Sequence, residues 1–102
     1  MKLQHYPSEL LKNQISAILK NQLGNLSPYQ AFFFGSRVTR HGDDRSDIDL
    51  GIQAAGPIPS QTMSRITEDI DQLPTLYKID VVDFSSVSGQ FAQVAKQSVE
   101  YI

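Results

Sequence analysis

Cysteine and tryptophan are both missing from this chain of 102 residues. Without thiols there is no disulfide scaffold and no metal site built on thiolates, because Met1 and Met63 carry all the sulfur. No charge-free apolar run approaches the ~20 residues that a membrane-spanning helix needs. The opening residues, Met1-Lys2-Leu3-Gln4-His5-Tyr6-Pro7, lack the apolar centre of a secretory signal, so the expected compartment is the cytoplasm. An excess of positive charge is missing as well. Nine Lys and Arg stand against eleven Asp and Glu, a net charge of −2, which argues against tight sequence-independent binding to nucleic acid. A length of this order predicts one domain spanning residues 1–102, large enough to bury roughly two-thirds of its extended-chain surface in one modest core.

Aspartate is what the chain has in plenty. Eight of the eleven acidic residues are Asp, and Asp43, Asp44, Asp47 and Asp49 fall within seven positions. Hydrophobic periodicity places this cluster among ordered elements. Leu11, Ile15, Ile18, Leu19 and Leu23 recur at helical spacing, with Ser8 expected as N-cap and Gly24 as a left-handed C-terminal residue. Ala31-Phe32-Phe33-Phe34 is a short apolar run closed by Gly35 and reads as a buried strand. Asp47 to Ile52 alternates polar and apolar, the pattern of a half-buried strand. After a loop expected from Ala54 to Pro59, with Gly56, Pro57 and Pro59, Ser60 is expected to cap a second helix with Met63, Ile66, Ile70 and Leu73 inward and Pro74 beyond its end. Tyr77 to Phe84 predicts a third strand. A last helix is expected from Val87 or Gly89, burying Phe91, Val94, Ala95 and Val99. The class this implies is α+β, a small mixed sheet with helices packed mainly on one face.

The chemistry centres on Asp47-Ile48-Asp49. Aspartates at i and i+2 of a strand share a face, with Cα atoms about 6.5 Å apart. Such a pair is self-repelling unless a cation lies between, and a hard divalent ion suits carboxylate oxygen while leaving sites for a phosphate. For Asp-x-Asp by itself, a solvated strand face is the alternative. Gly35-Ser36 adds a strand-end turn whose backbone N–H groups can approach a phosphate. Asp80, between Ile79 and Val81-Val82, is costly inside an apolar strand unless it faces a site or a partner. Asp83 falls on the opposite face and is expected to be a solvated strand-end residue. Two other metal or phosphate motifs fail. An EF-hand loop begun at Asp47 would put Ile52 where glycine and Ile58 where glutamate are required, and no Gly-Lys-Ser/Thr triplet exists for a Walker-type loop. His5 and His41 lack metal-ligand spacing and read as surface or loop residues.

Taken jointly, Phe33-Phe34-Gly35-Ser36-Arg37, then Ser46-Asp47-Ile48-Asp49-Leu50, then Lys78-Ile79-Asp80-Val81-Val82 closely resemble the minimal nucleotidyltransferase (MNT) family of the DNA polymerase β-like superfamily. The resemblance extends over most of the chain and implies the polymerase β-like nucleotidyltransferase fold. It implies that Gly35 and Ser36, with Arg37 beside them, bind the phosphates of a nucleotide. It further implies that Asp47, Asp49 and Asp80 ligate two Mg²⁺ ions and that Asp80 acts as general base towards an acceptor hydroxyl. Arg40 and Arg45 are taken as solvated loop charges. Only 22 residues follow Asp80, so the acceptor is expected on another protein. Stand-alone members resemble the antitoxin half of toxin–antitoxin pairs whose partner is a HEPN-domain ribonuclease. The implied reaction is AMP transfer from ATP to a tyrosine of that toxin, within a hetero-oligomer. The alternatives are a binding-only antitoxin that neutralises its toxin sterically, and a nucleotide-binding subunit of a two-chain transferase.

Overall fold

The computed structural model describes residues 6–24, 28–35, 48–75, 77–85 and 99–102. In chain order these form α1 (Ser8–Gln22), β1 (Gln30–Phe34), β2 (Ile48–Gln53), α2 (Ser60–Asp71), β3 (Ile79–Asp83) and β4 (Glu100–Tyr101). Most of the expected last helix, with Phe91, Val94 and Ala95, lies outside the described residues, as does the Arg37 to Asp47 segment; Val99, expected on its buried stripe, is instead non-helical and directly precedes β4, packed against Phe32 and Phe84.

Both helices begin in the same way, and the expected serine caps are replaced by prolines. Pro7 and Pro59 occupy the N-cap positions in extended conformation, with ψ of 122° and 142°, and neither helix start has a side-chain cap bond. Their carbonyls accept the first helical bonds, from Leu11 N–H and Met63 N–H, each at 3.0 Å. Proline suits this place because it has a carbonyl to offer and its missing N–H is not wanted. Ser8 and Ser60 are therefore the first helical residues. Gly24 is not left-handed either: α1 ends through Leu23, whose N–H reaches Leu19 O at 2.7 Å, and among the described glycines Gly35 alone has positive φ.

The sheet has the order β3-β2-β1-β4. β1 runs antiparallel to β2 and to β4, while β2 and β3 are parallel and joined through α2. β4 is too short to show a period, so Glu100 and Tyr101 gave no strand signal in the sequence. They pair with Phe33 and Phe32, and Ile102 N–H donates to Ala31 O at 3.0 Å.

Strand alternation divides the sheet into two unlike faces. Ala31, Phe33, Ile48, Leu50, Ile52 and Ile79 turn to the helices, where Leu11, Ile15, Leu19, Leu23, Ile66 and Ile70 complete the main core. Gln22 Nε2 donates to Asp69 Oδ2 at 2.9 Å and ties α1 to α2, and Lys12 of α1 meets Glu100 of β4 at 2.7 Å. The other face carries a smaller aromatic cluster, with Phe32 and Phe84 buried and Phe34, Val82 and Val99 against them. β2 is thus more enclosed than a half-buried strand, since Gly51 on this second face is buried as well. A Cβ at Gly51 would stand 2.5 Å from the Phe32 ring and 2.6 Å from the Phe84 ring, so the two aromatics close directly over its backbone.

Candidate active site

On the face opposite the helices, three residues lie in one row across three strands. Phe34 of β1 is the Cα partner of Asp49, and Asp49 is the Cα partner of Asp80 in β3. Neighbouring strands are about 4.8 Å apart, so the register sets the two carboxylates side by side on one face. Both aspartates are half-buried. The next row, Phe32–Gly51–Val82, is apolar and holds the same three strands together. Asp80 lies in this row beside Asp49, flanked by Ile79 and Val81 in its strand.

Gly35 follows Phe34 with φ of +85°, a left-handed turn that L side chains rarely adopt. Its missing side chain has a second use. A Cβ built there would lie 2.4 Å from Asp49 Oδ2, so the carboxylate occupies the space that any other residue would fill. The glycine therefore turns the chain out of β1 and seats Asp49 against the turn. From the sequence, a close backbone approach to a phosphate was the whole reason for Gly35; the contact with Asp49 was not foreseen.

Lys78 also belongs to this face, two residues before Asp80. Its Nζ lies 3.9 Å from Asp80 Oδ1. The sequence signal was present in Lys78-Ile79-Asp80, because alternation puts positions 78 and 80 on one side, but it was passed over. Asp83 corrects a second expectation. It does face away from Asp80, yet it is no solvated residue: Oδ2 accepts Ile58 N–H at 2.9 Å and Oδ1 accepts Ser85 N–H at 2.8 Å. Ser85 Oγ in turn accepts Ala54 N–H at 2.7 Å. Together these bonds fasten the β2–α2 loop to the end of β3.

Of the residues singled out in the sequence, Gly35, Asp49 and Asp80 come together. Ser36, Arg37 and Asp47 lie outside the described residues, as do His5, His41, Asp43, Asp44, Arg40 and Arg45. Among the described residues no group of three acidic or histidine side chains converges as a complete metal cage. Two adjacent carboxylates on one face are hard-oxygen donors of the kind that Mg²⁺ takes while keeping positions for phosphate.

A family profile described as "Polymerase beta, Nucleotidyltransferase" matches residues 13–102. The chain belongs to the polymerase beta nucleotidyltransferase family. Within this family it is similar to the Haemophilus influenzae protein named "Probable protein adenylyltransferase MntA", with 28% identity over 88 residues, 85% of this chain and 77% of the relative. Its fold matches that of a chain in a toxin–antitoxin crystal structure with AMP-PNP, at a TM-score of 0.70 and 21% identity, covering 88% of this chain and 70% of the other. It also matches a chain of the tri-AMPylated Shewanella oneidensis HEPN toxin in complex with MNT antitoxin, at a TM-score of 0.69 and 20% identity, covering 93% and 71%. At such identities the likeness to solved structures is one of fold. No described helix is long and apolar enough to cross a membrane.

Proposed function

We propose that this nucleotidyltransferase is a Mg²⁺-dependent protein adenylyltransferase that moves AMP from ATP to a tyrosine hydroxyl of a HEPN-domain toxin and so acts as its antitoxin. The observation that carries the reading is the register Phe34–Asp49–Asp80 with Gly35 packed on the Asp49 carboxylate. Two supports come from the relatives: one bears the name of a protein adenylyltransferase, and the fold recurs in complexes of an AMPylated HEPN toxin with an MNT antitoxin. The acceptor would come from the partner, in a hetero-oligomer of this chain with its toxin.

The residues divide the work as follows. Asp49 and Asp80, with Asp47, would hold two Mg²⁺ ions. When bound, the ions supply charge neutralisation at the attacking and leaving oxygens of an in-line displacement. Gly35 and Ser36 would take the β- and γ-phosphates on backbone N–H groups, with Arg37 alongside. Asp80 would receive the proton of the tyrosine hydroxyl as its oxygen bonds to the α-phosphorus and pyrophosphate departs with the electrons of the broken bond. Little covalent chemistry falls to the protein in such a transfer, and orientation and charge account for most of the rate.

The test uses the chain with its cognate HEPN partner, α-labelled ATP and Mg²⁺. Wild type is expected to add one or more AMP units to the partner, read by intact mass. The double variant Asp47→Asn, Asp49→Asn is expected to add none and to lose toxin neutralisation. If the double variant still neutralises the toxin and wild type transfers no label, the chain acts by binding alone and the transferase reading falls.

A further inference from the structure

The lysine beside Asp80 is held more firmly than its position outside the strand suggests. Lys78 comes one residue before β3, yet its carbonyl accepts Ile48 N–H at 2.8 Å, which extends the parallel ladder. Its backbone is thereby fixed, and alternation sends the side chain to the face that carries Asp49 and Asp80. The ammonium stops 3.9 Å from Asp80 Oδ1, with 71% of the lysine side chain and 45% of the aspartate side chain exposed. An ion pair so open to water contributes little to stability. Its effect on the site is electrostatic: Asp49 and Asp80 are adjacent like charges, and Lys78 brings a positive charge to 3.9 Å from one of them.

We propose that Lys78 is a stand-in cation for Asp80, one that a divalent ion must displace to take the carboxylate. This inference rests on the metal-binding role given above to Asp49 and Asp80. An ammonium beside the carboxylate and a divalent ion on it repel each other, so each disfavours the other at Asp80. Lysine suits a temporary occupant: it is a compact point charge on a long flexible stem and can leave without moving β3. In the metal-free protein Lys78 relieves the repulsion within the acidic row. Its departure sets the divalent-ion concentration at which the site loads, and it frees a cation at the rim of a site that handles phosphates.

Mn²⁺ serves as probe, with binding to the whole chain measured by the electron paramagnetic resonance of the free ion and without nucleotide. Wild type is compared with Lys78→Met, Lys78→Arg and Arg65→Met; Arg65 lies exposed on α2, across the sheet from the site, and its variant makes the same change in net charge. A unit charge at this distance in a water-like medium is worth several-fold in an equilibrium constant. Lys78→Met is therefore expected to bind Mn²⁺ about three- to tenfold more tightly, with Lys78→Arg and Arg65→Met within about twofold of wild type. Equal or weaker binding by Lys78→Met overturns the inference, as does an equal gain in Arg65→Met, which would make net charge the cause. Asp80→Asn separates the two levels of the argument. If it binds Mn²⁺ as wild type does, the metal role of Asp80 falls; if it loses Mn²⁺ while Lys78→Met is unchanged, only the stand-in role falls.

Discussion

Two glycines do work that no other residue could do in their places, and for different reasons. Gly35 combines a φ of +85° with a carboxylate oxygen 2.4 Å from where its Cβ would be. An alanine there takes on a left-handed conformation costing about 1–2 kcal/mol and must also push Asp49 aside. Gly35→Ala is expected to lower stability by about that amount in urea denaturation, and to lower the AMP-transfer rate on the order of a hundredfold, since small displacements of reacting groups are heavily penalised. A loss of rate no larger than the fraction unfolded would show that the Asp49 contact is irrelevant to the chemistry. Gly51 has ordinary backbone geometry, but the Phe32 and Phe84 rings, with centroids 5.2 Å apart, leave its Cβ no room. Gly51→Ala is expected to cost about 1–3 kcal/mol through forced displacement of those rings, the usual range for overpacking. Its urea midpoint should fall without a change in slope.

At the scale of elements, the parts legible in the sequence were those governed by periodicity. Leu11, Ile15 and Leu19 marked α1, Ile66 and Ile70 marked α2, and the alternation around Asp49 marked β2 with its facing correct. Asp80 stood out for the same reason, as a polar residue between Ile79 and Val81-Val82. What was illegible depended on partners distant in sequence. β4 exists only because β1 offers it an edge, and two residues cannot carry a pattern. The burial of Gly51 required knowing that Phe84 folds over it, 33 residues on. Asp83 looked solvated because nothing local reveals that Ile58 N–H points at its carboxylate. That last contact has a measurable consequence. With Oδ2 on Ile58 and Oδ1 on Ser85, replacing Asp83 by alanine strands two backbone N–H groups. Asp83→Ala is expected to cost about 1–3 kcal/mol, and Asp83→Asn less, because its amide keeps one acceptor oxygen. Hydrogen exchange should quicken at Ile58 and Ser85 in Asp83→Ala; unchanged protection there would show that the clasp contributes nothing.

For the described molecule as a whole, the sheet separates the main core from the candidate site by face. Phe33, Ile48, Leu50 and Ile79 face α1 and α2 and form the main core, while Phe34, Asp49 and Asp80 occupy the opposite side of the same strands. Register couples the two: each aspartate is held in its row by the apolar neighbours directly before and after it, Ile48 and Leu50 for Asp49, Ile79 and Val81 for Asp80. The faces should then respond oppositely to substitution. Phe33→Ala removes a fully buried ring and is expected to cost about 3–5 kcal/mol, a large part of the stability of a small domain. Where that variant remains folded at low temperature, the row of carboxylates persists and AMP transfer per folded molecule should stay near wild type. Asp80→Asn changes a half-exposed group by one atom and should change the unfolding free energy by no more than about 0.5 kcal/mol, while transfer should disappear under the general-base role proposed for Asp80. Activity titrated against the folded fraction at several urea concentrations distinguishes the two, giving wild-type-like specific activity for Phe33→Ala and none for Asp80→Asn at any folded fraction. Should Phe33→Ala lose specific activity while still folded, the core face would be tuning the site through the strands, and the separation of the faces would be incomplete.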